Sequence, residues 1–340
     1  MNRKIFSLII SLFFALVTYI LFGIWGIFEI KKNENFLFKS KKELEFHKKY
    51  SEKMHHLRDV DRWGKIENDF LFSKIFSKND KNKTILFQGD SWVESISEIT
   101  KSNKLLRDFA KKNEFNIINA GITSFAPSLM HIQYKILKKD FKISPDIIVI
   151  YIDQTDLGDE FCRYRKNKVY SSNGDLVQVK REKYNKVVYD YTKLYEYSDL
   201  KLGGSVNIVL KYPYIKSRYF FKRNIYRSKQ IFVHGLNNRN VEKCSFKEIR
   251  KELLVYNPEA EKNFKKSLNE YLNLLKKDKK IEKLLVVSFP HLNHHKKLYR
   301  VNVSDYIDEV LKTQNDKRIE HLNISLTNIN INNIDKIYKK

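Results

Sequence analysis

The chain has 340 residues, 42% of them hydrophobic, and carries a formal charge of +25 from 65 Lys and Arg against 40 Asp and Glu. That is apolar material for one large domain or two small ones, and 2 cysteines, Cys162 and Cys244, exclude a disulfide-built scaffold; they have no metal-ligand spacing, and one bridge or two thiols both remain open. The lysine excess is spread along the chain and no DNA- or RNA-recognition motif accompanies it, so it reads as cover for solvated faces rather than as a nucleic-acid surface; attraction to anionic lipid or polysaccharide is the other reading.

The first predicted element is apolar. Ile5 to Ile30 has no charge before Glu29 and exceeds the ~20 residues that cross a bilayer core. A signal peptide competes, but the run is longer than the usual ~7–15 apolar residues, and Phe22 to Phe28 is bulky where a cleavage site needs small side chains. An uncleaved anchor over residues 1–31 is therefore expected. Arg3 and Lys4 before it favour an inside N-terminus, although Lys31 and Lys32 follow closely. The expected location is the cytoplasmic (inner) membrane, single-pass, with the main domain extracytoplasmic.

Residues 32–80 are charged and helix-compatible, with a partial apolar face, and read as a helical stalk. The domain proper is expected over 81–340. Thr84 to Phe87 predicts a strand, Ser95 to Lys112 a helix, Phe115 to Asn119 a strand, Pro127 to Lys139 a helix, and Asp146 to Ile152 a central strand covered on both faces. Residues 160–245 break the rhythm: Val169 to Val179 predicts a hairpin around Ser172-Asn173-Gly174-Asp175, and Tyr184 to Asn238, rich in Tyr, Lys, Arg and Asn, reads as an insertion over the site edge. Pro258 to Lys277 (helix), Lys283 to Phe289 (strand), Val303 to Thr313 (helix) and Ile319 to Ile324 (strand) resume the alternation. Strands alternating with helices predict a doubly wound α/β sheet.

Chemistry is concentrated at three strand ends. Gly89-Asp90-Ser91 closes the first strand of the alternation as a tight turn entering a helix, so the Ser91 hydroxyl should stand exposed beside backbone N–H groups, where a nucleophile needs fixed donors for its oxyanion. Asp90 and Ser91 are also good helix caps. Asn119-Ala120-Gly121 closes the next strand, and a glycine there allows close approach of the backbone. Asp153-Gln154-Thr155-Asp156 closes the third, where Asp153 and Asp156 serve equally as helix caps. In a parallel sheet these carboxyl ends share one crevice.

These three blocks resemble those of the GDSL/SGNH hydrolases, serine esterases on a flavodoxin-like, three-layer parallel sheet. The resemblance covers roughly Thr84 to Glu160, and the elements after Pro258 loosely. It implies Ser91 as nucleophile, Gly121 and Thr155 (where the family usually has asparagine) as oxyanion-hole donors, and Asp90 and Asp156 as supporting residues. The family's Asp-X-X-His block is missing, since none of the 9 histidines has an aspartate three positions earlier. Three readings follow: the block lies beyond residue 340, His291 after Pro290 supplies the base, or the chain no longer catalyses. The resemblance implies an esterase or O-acyltransferase acting on a sugar O-acyl group of an envelope glycan. The alternative is an inactive relative that binds a glycan or an assembly partner. No cofactor or metal is expected, because no phosphate-cradling loop or ligand set is present.

Overall fold

The structure, a computed structural model, describes residues 3–32, 45–46, 48–50, 52–58, 71–97, 99–180, 193–194, 196–197, 202–233, 257–289 and 302–324, with backbone alone for 3, 31–32, 202 and 219–233. In chain order come α1 (Arg3–Lys32), β1 (Ser73–Phe76), β2 (Thr84–Gln88), α2 (Ser91–Ile96), α3 (Thr100–Asn113), β3 (Asn116–Asn119), α4 (Pro127–Asp140) and β4 (Ile147–Ile152). Then follow α5 (Thr155–Gly158), which widens into a π-helical turn at Asp159–Tyr164, the hairpin β5 (Lys168–Tyr170) and β6 (Leu176–Val179), α6 (Leu202–Val233), α7 (Pro258–Lys276), β7 (Lys283–Ser288), α8 (Val303–Lys312) and β8 (Ile319–Asn323). The chain divides into two compact units, Met1–Tyr50 with Lys183–Asn240 and Ser51–Glu182 with Val241–Lys340.

The second unit is mixed α/β. Six strands form one sheet in the order β1-β3-β2-β4-β7-β8. All pairs are parallel except β1 with β3. Side chains alternate between two covered faces, as expected of buried parallel strands. Ile85 and Ile117 pack with Ile75 and Ala110, and Leu106 of α3 joins them on that face. On the other face Gln88, wholly buried, donates to the Met130 carbonyl (3.1 Å) and to Gln133 Oε1 (2.6 Å) of α4 and accepts from the Tyr271 hydroxyl of α7. Gln133 in turn donates to the carbonyls of Leu71 and Ala120, both at 2.8 Å. The end of β2 is thereby fixed to α4, α7 and the loop after β3.

Two expectations need correction. Ser73–Phe76 is an edge strand, where composition read a helical stalk; Leu71, Phe72 and Ile75 are buried, and Ser73 pairs with Asn119 across the sheet. A four-residue strand has too little alternation to stand out against charged neighbours. The helix expected at Ser95 to Lys112 is two helices: α2 starts at Ser91 because the Asp90 side chain caps it, and α3 starts at Thr100. The hairpin is as expected, with Gly174 at φ 78° in its turn, a conformation that favours glycine.

In the first unit, α1 is long and apolar enough to cross a membrane. Its 30 residues extend about 45 Å. The insertion contains a feature that composition did not predict, the 32-residue helix α6, which packs along the C-terminal part of α1 within the same unit.

Candidate functional site

β2, β3 and β4 are neighbours, with β2 between the other two, so the three sequence blocks open onto one edge of the sheet. Chain connections diverge there: β2 is followed by β3 on one side and by β4 on the other. In open α/β sheets, ligands bind in the crevice at such a point.

The Ser91 turn is built by close packing. A Cβ on Gly89 would stand 2.5 Å from Val93 Cγ2 and 2.9 Å from Tyr151 Cβ, so any larger residue would push β4 away from the turn. Asp90, buried and extended, caps α2 by accepting from the Trp92 N–H at 2.9 Å. Ser91 follows as the first helical residue and is exposed. Its hydroxyl reaches Asp90 Oδ2 only at 3.5 Å, the outer limit of a hydrogen bond. The side chain is therefore accessible and weakly held.

Gly121 lies directly against α2. The Ile122 N–H donates to the Gly89 carbonyl at 3.1 Å, and a side chain on Gly121 would collide with the backbone of Val93 and Glu94. Its own N–H is already engaged, donating to Asn119 Oδ1 at 2.8 Å. Asn119 is held from its other side by donation to the Val93 carbonyl (2.7 Å) and Ser97 Oγ (2.6 Å). Thr155 is likewise committed: its N–H and its hydroxyl both donate to Asp153 Oδ1 at 2.5 Å. The two residues expected to supply oxyanion donors sit at the expected edge but spend those donors on protein groups.

Below Ser91 the site is acidic. Asp90, Asp153, Asp156 and Asp159 are all buried. Burial, then the Asp153 carboxylate, raises Asp90 well above the usual range. Burial, then Asp153 and Asp90, does the same to Asp156. Burial pushes Asp159 up to about 7, against the pull of Arg163 at 3.1 Å. Carboxyls this close in a dry setting cannot all ionise. Asp156 Oδ2 accepts from the Asp153 N–H at 3.3 Å, which ties the start of α5 to the end of β4. Among the described residues, no three His, Cys, Asp or Glu side chains are arranged to hold a metal ion.

Several supporting residues escaped the sequence reading. Glu94, buried on α2, accepts from the Thr123 N–H (2.8 Å) and hydroxyl (2.5 Å) and pairs with Arg58 Nε at 3.4 Å. Arg58 also donates to the Gly121 carbonyl at 2.7 Å, and His56 Nε2 bonds the Thr123 carbonyl at 2.7 Å. His56 and Arg58 thus join the loop after β3, and Arg58 reaches α2 as well. No local pattern marks them, because they fall in the charged stretch before the alternation begins. Glu160 is buried and bonds the Ser128 N–H (2.6 Å) and hydroxyl (2.7 Å), Ser267 Oγ (2.9 Å) and Lys168 Nζ (2.8 Å). It anchors the π-helical turn to α4 and α7.

A hydroxyl–imidazole–carboxylate chain lies at the β7–β8 side of the sheet, away from Ser91. His321 Nδ1 bonds Asp308 Oδ1 at 2.6 Å, His321 Nε2 bonds Ser288 Oγ at 2.8 Å, and the Ser304 hydroxyl donates to Ser288 Oγ at 2.8 Å. Ser288 is fully buried. Among the described residues no histidine bonds Ser91. His291 lies outside the described residues. Phe289 lies beside the site, its ring 6.3 Å from that of Trp92. No family model matches the sequence, and no curated protein matches it.

Proposed function

We propose that the chain is a membrane-anchored serine hydrolase of the GDSL/SGNH type that cleaves or transfers an acyl ester. The observation that carries this reading is the exposed Ser91 at the carboxyl end of β2, between β3 and β4. Taking the parallel strands in chain order, the sheet reads 2-1-3-4-5, the flavodoxin-like order with its ligand crevice beside the first strand. In this reaction Ser91 Oγ attacks the acyl carbon and its proton passes to a base. The alkoxide leaves with a proton, and water or a second hydroxyl takes the acyl group. The Ser91 N–H is one oxyanion donor. The Gly121 N–H becomes a second when the oxyanion displaces Asn119 Oδ1. His291, two residues beyond Phe289, is the candidate base. Asp90 holds the turn, and Asp156 holds the end of β4. The substrate class is a sugar O-acyl ester of an envelope glycan, reached by a domain held outside the inner membrane by α1, N-terminus inside.

One observation favours the alternative, an inactive relative that binds a glycan or a partner through the same crevice: the Gly121 N–H and the Thr155 hydroxyl are both bonded within the protein. Without a base and its donors a serine hydroxyl is a poor nucleophile. The two readings separate on exposure of the full chain, in vesicles, to a fluorophosphonate, with the adduct located by peptide mass spectrometry. An adduct on Ser91 is expected; a chain with an intact C-terminus that stays unlabelled at Ser91 is a binding module.

A further inference from the structure

Near its C-terminal end, α1 buries Gly23, Gly26, Glu29 and Ile30, while Leu21, Ile24, Trp25 and Phe28 stay exposed. The buried stripe packs on α6, and the contacts rise together along both helices. Gly23 meets Val209, Gly26 meets Tyr212, and Glu29 meets Tyr212 (hydroxyl donating, 2.5 Å) and Lys216 (3.5 Å). The two helices therefore run in the same direction, and Val209 stands at the level of Gly23, inside the apolar stretch that is long enough to span.

The residues of α6 at that level suit lipid. Leu202–Leu210 contains no charged side chain. Its nine residues rise about 14 Å, close to half of a ~30 Å bilayer core. Val206, Leu210 and Tyr214 are 55%, 56% and 58% exposed. At i, i+4 and i+8 they form one stripe. Charge flanks the stretch at both ends, Lys201 before it and Lys211 after it. Lys211 donates to the Tyr197 hydroxyl at 2.6 Å, and Lys216 pairs with Glu29. The backbone points the same way. Pro213 has no N–H to give the Val209 carbonyl four residues before it, and α1 covers this site: Gly23 lies against the Val209 carbonyl, and the Tyr19 hydroxyl donates to the Leu210 carbonyl at 2.5 Å. In hydrocarbon, a break in the helical ladder is tolerated where a neighbouring helix covers it.

We propose that Leu202–Leu210 enters one leaflet beside α1, the leaflet at the C-terminal end of that helix, with Val206, Leu210 and Tyr214 against lipid acyl chains. The anchor is then a span plus a half-inserted helix. This inference rests on α1 spanning the bilayer, and the test separates the two. The full chain, with Cys162→Ala and Cys244→Ala, is placed in phosphatidylethanolamine–phosphatidylglycerol vesicles, and a nitroxide is attached at one cysteine introduced by Leu21→Cys, Val206→Cys, Leu210→Cys or Ser217→Cys. Relaxation by oxygen is compared with relaxation by a water-soluble nickel chelate. Positions 206 and 210 are expected to favour oxygen as position 21 does, and Ser217, nearly two turns beyond Lys211, to favour the chelate. Chelate access at 206 and 210 with oxygen access at 21 overturns the inference and leaves the span standing. Low access to both probes at 206 and 210 means that protein, such as a second copy, covers the stripe, and also overturns it. Chelate access at 21 removes the span and the inference together.

Discussion

Two serines stand at strand ends of the same sheet, and they differ in what surrounds them. Ser91 at the end of β2 is exposed and rests on buried acids, and among the described residues no histidine bonds it. Ser288 at the end of β7 is bonded to His321, which is bonded to Asp308, yet it is fully buried. Hydroxyl, imidazole and carboxylate in hydrogen-bonded order are the outline of a relay, but a substrate must also reach the hydroxyl. The Ser288 chain links β7, β8 and α8. Ser288 and the His321 ring satisfy one another, as buried polar groups must, while Asp308 at the outer end is half exposed. The Ser91 turn has the opposite character, with access conserved by a capped, glycine-packed entry to α2 and with chemistry left to groups that approach it. Access, more than relay geometry, separates a candidate nucleophile from a structural one.

The largest expected effect breaks this comparison directly. Ser91→Ala should lower hydrolysis of an aryl acetate by roughly 10³-fold or more, whereas Ser288→Ala should leave the rate within a few-fold. The reverse result would move the nucleophile to β7. Next in size is the support beneath α2. Arg58→Ala leaves the Glu94 carboxylate buried beside Thr123 without its guanidinium, and should cost about 3–5 kcal/mol in urea denaturation. A smaller loss would mean that Thr123 alone compensates Glu94. Ser288→Ala removes the shared partner of His321 and Ser304. It should destabilise the fold by about 1–3 kcal/mol with little change in turnover, which makes the chain structural. A fall in turnover without a fall in stability would give it a role in the reaction.

The last effect is a slope rather than a single loss, and it concerns the acids. Burial raises Asp159 from 3.8 to about 7, so the folded chain keeps a proton that the unfolded chain releases above about pH 4. The contribution of this group to stability is present at low pH and is lost as pH rises through about 7. The slope should reach about 1.4 kcal/mol per pH unit at most. Asp159→Asn, which carries no titrating proton, should flatten that part of the stability–pH curve measured from pH 4 to 8; an unchanged slope would assign it to Asp90 or Asp156.

Much of the sheet is legible in the residues. Continuous β-branched runs such as Asp146 to Ile152 mark buried strands because they offer apolar side chains to both faces. Pro258 after Asn257 marks a helix start because a proline lacks the N–H that a first turn leaves unused and the asparagine caps it. Gly89-Asp90-Ser91 and Gly121 were recognisable for the same local reason: tight turns need small or capping residues. What local pattern cannot carry is partnership across the fold. β1 is a strand because β3 offers it an edge, and Arg58 matters because Glu94 lies opposite it. His321 is a relay member only because β8 lies beside β7. Thr155 offers a hydroxyl at the end of β4, but the fold turns that hydroxyl back onto Asp153. Local sequence determined where the chain extends, coils and turns, since dihedral preference and apolar periodicity act over a few residues. Tertiary structure alone decided which donors stay available and which serine is reached from outside, since burial and hydrogen-bond satisfaction depend on residues brought together from distant parts of the chain.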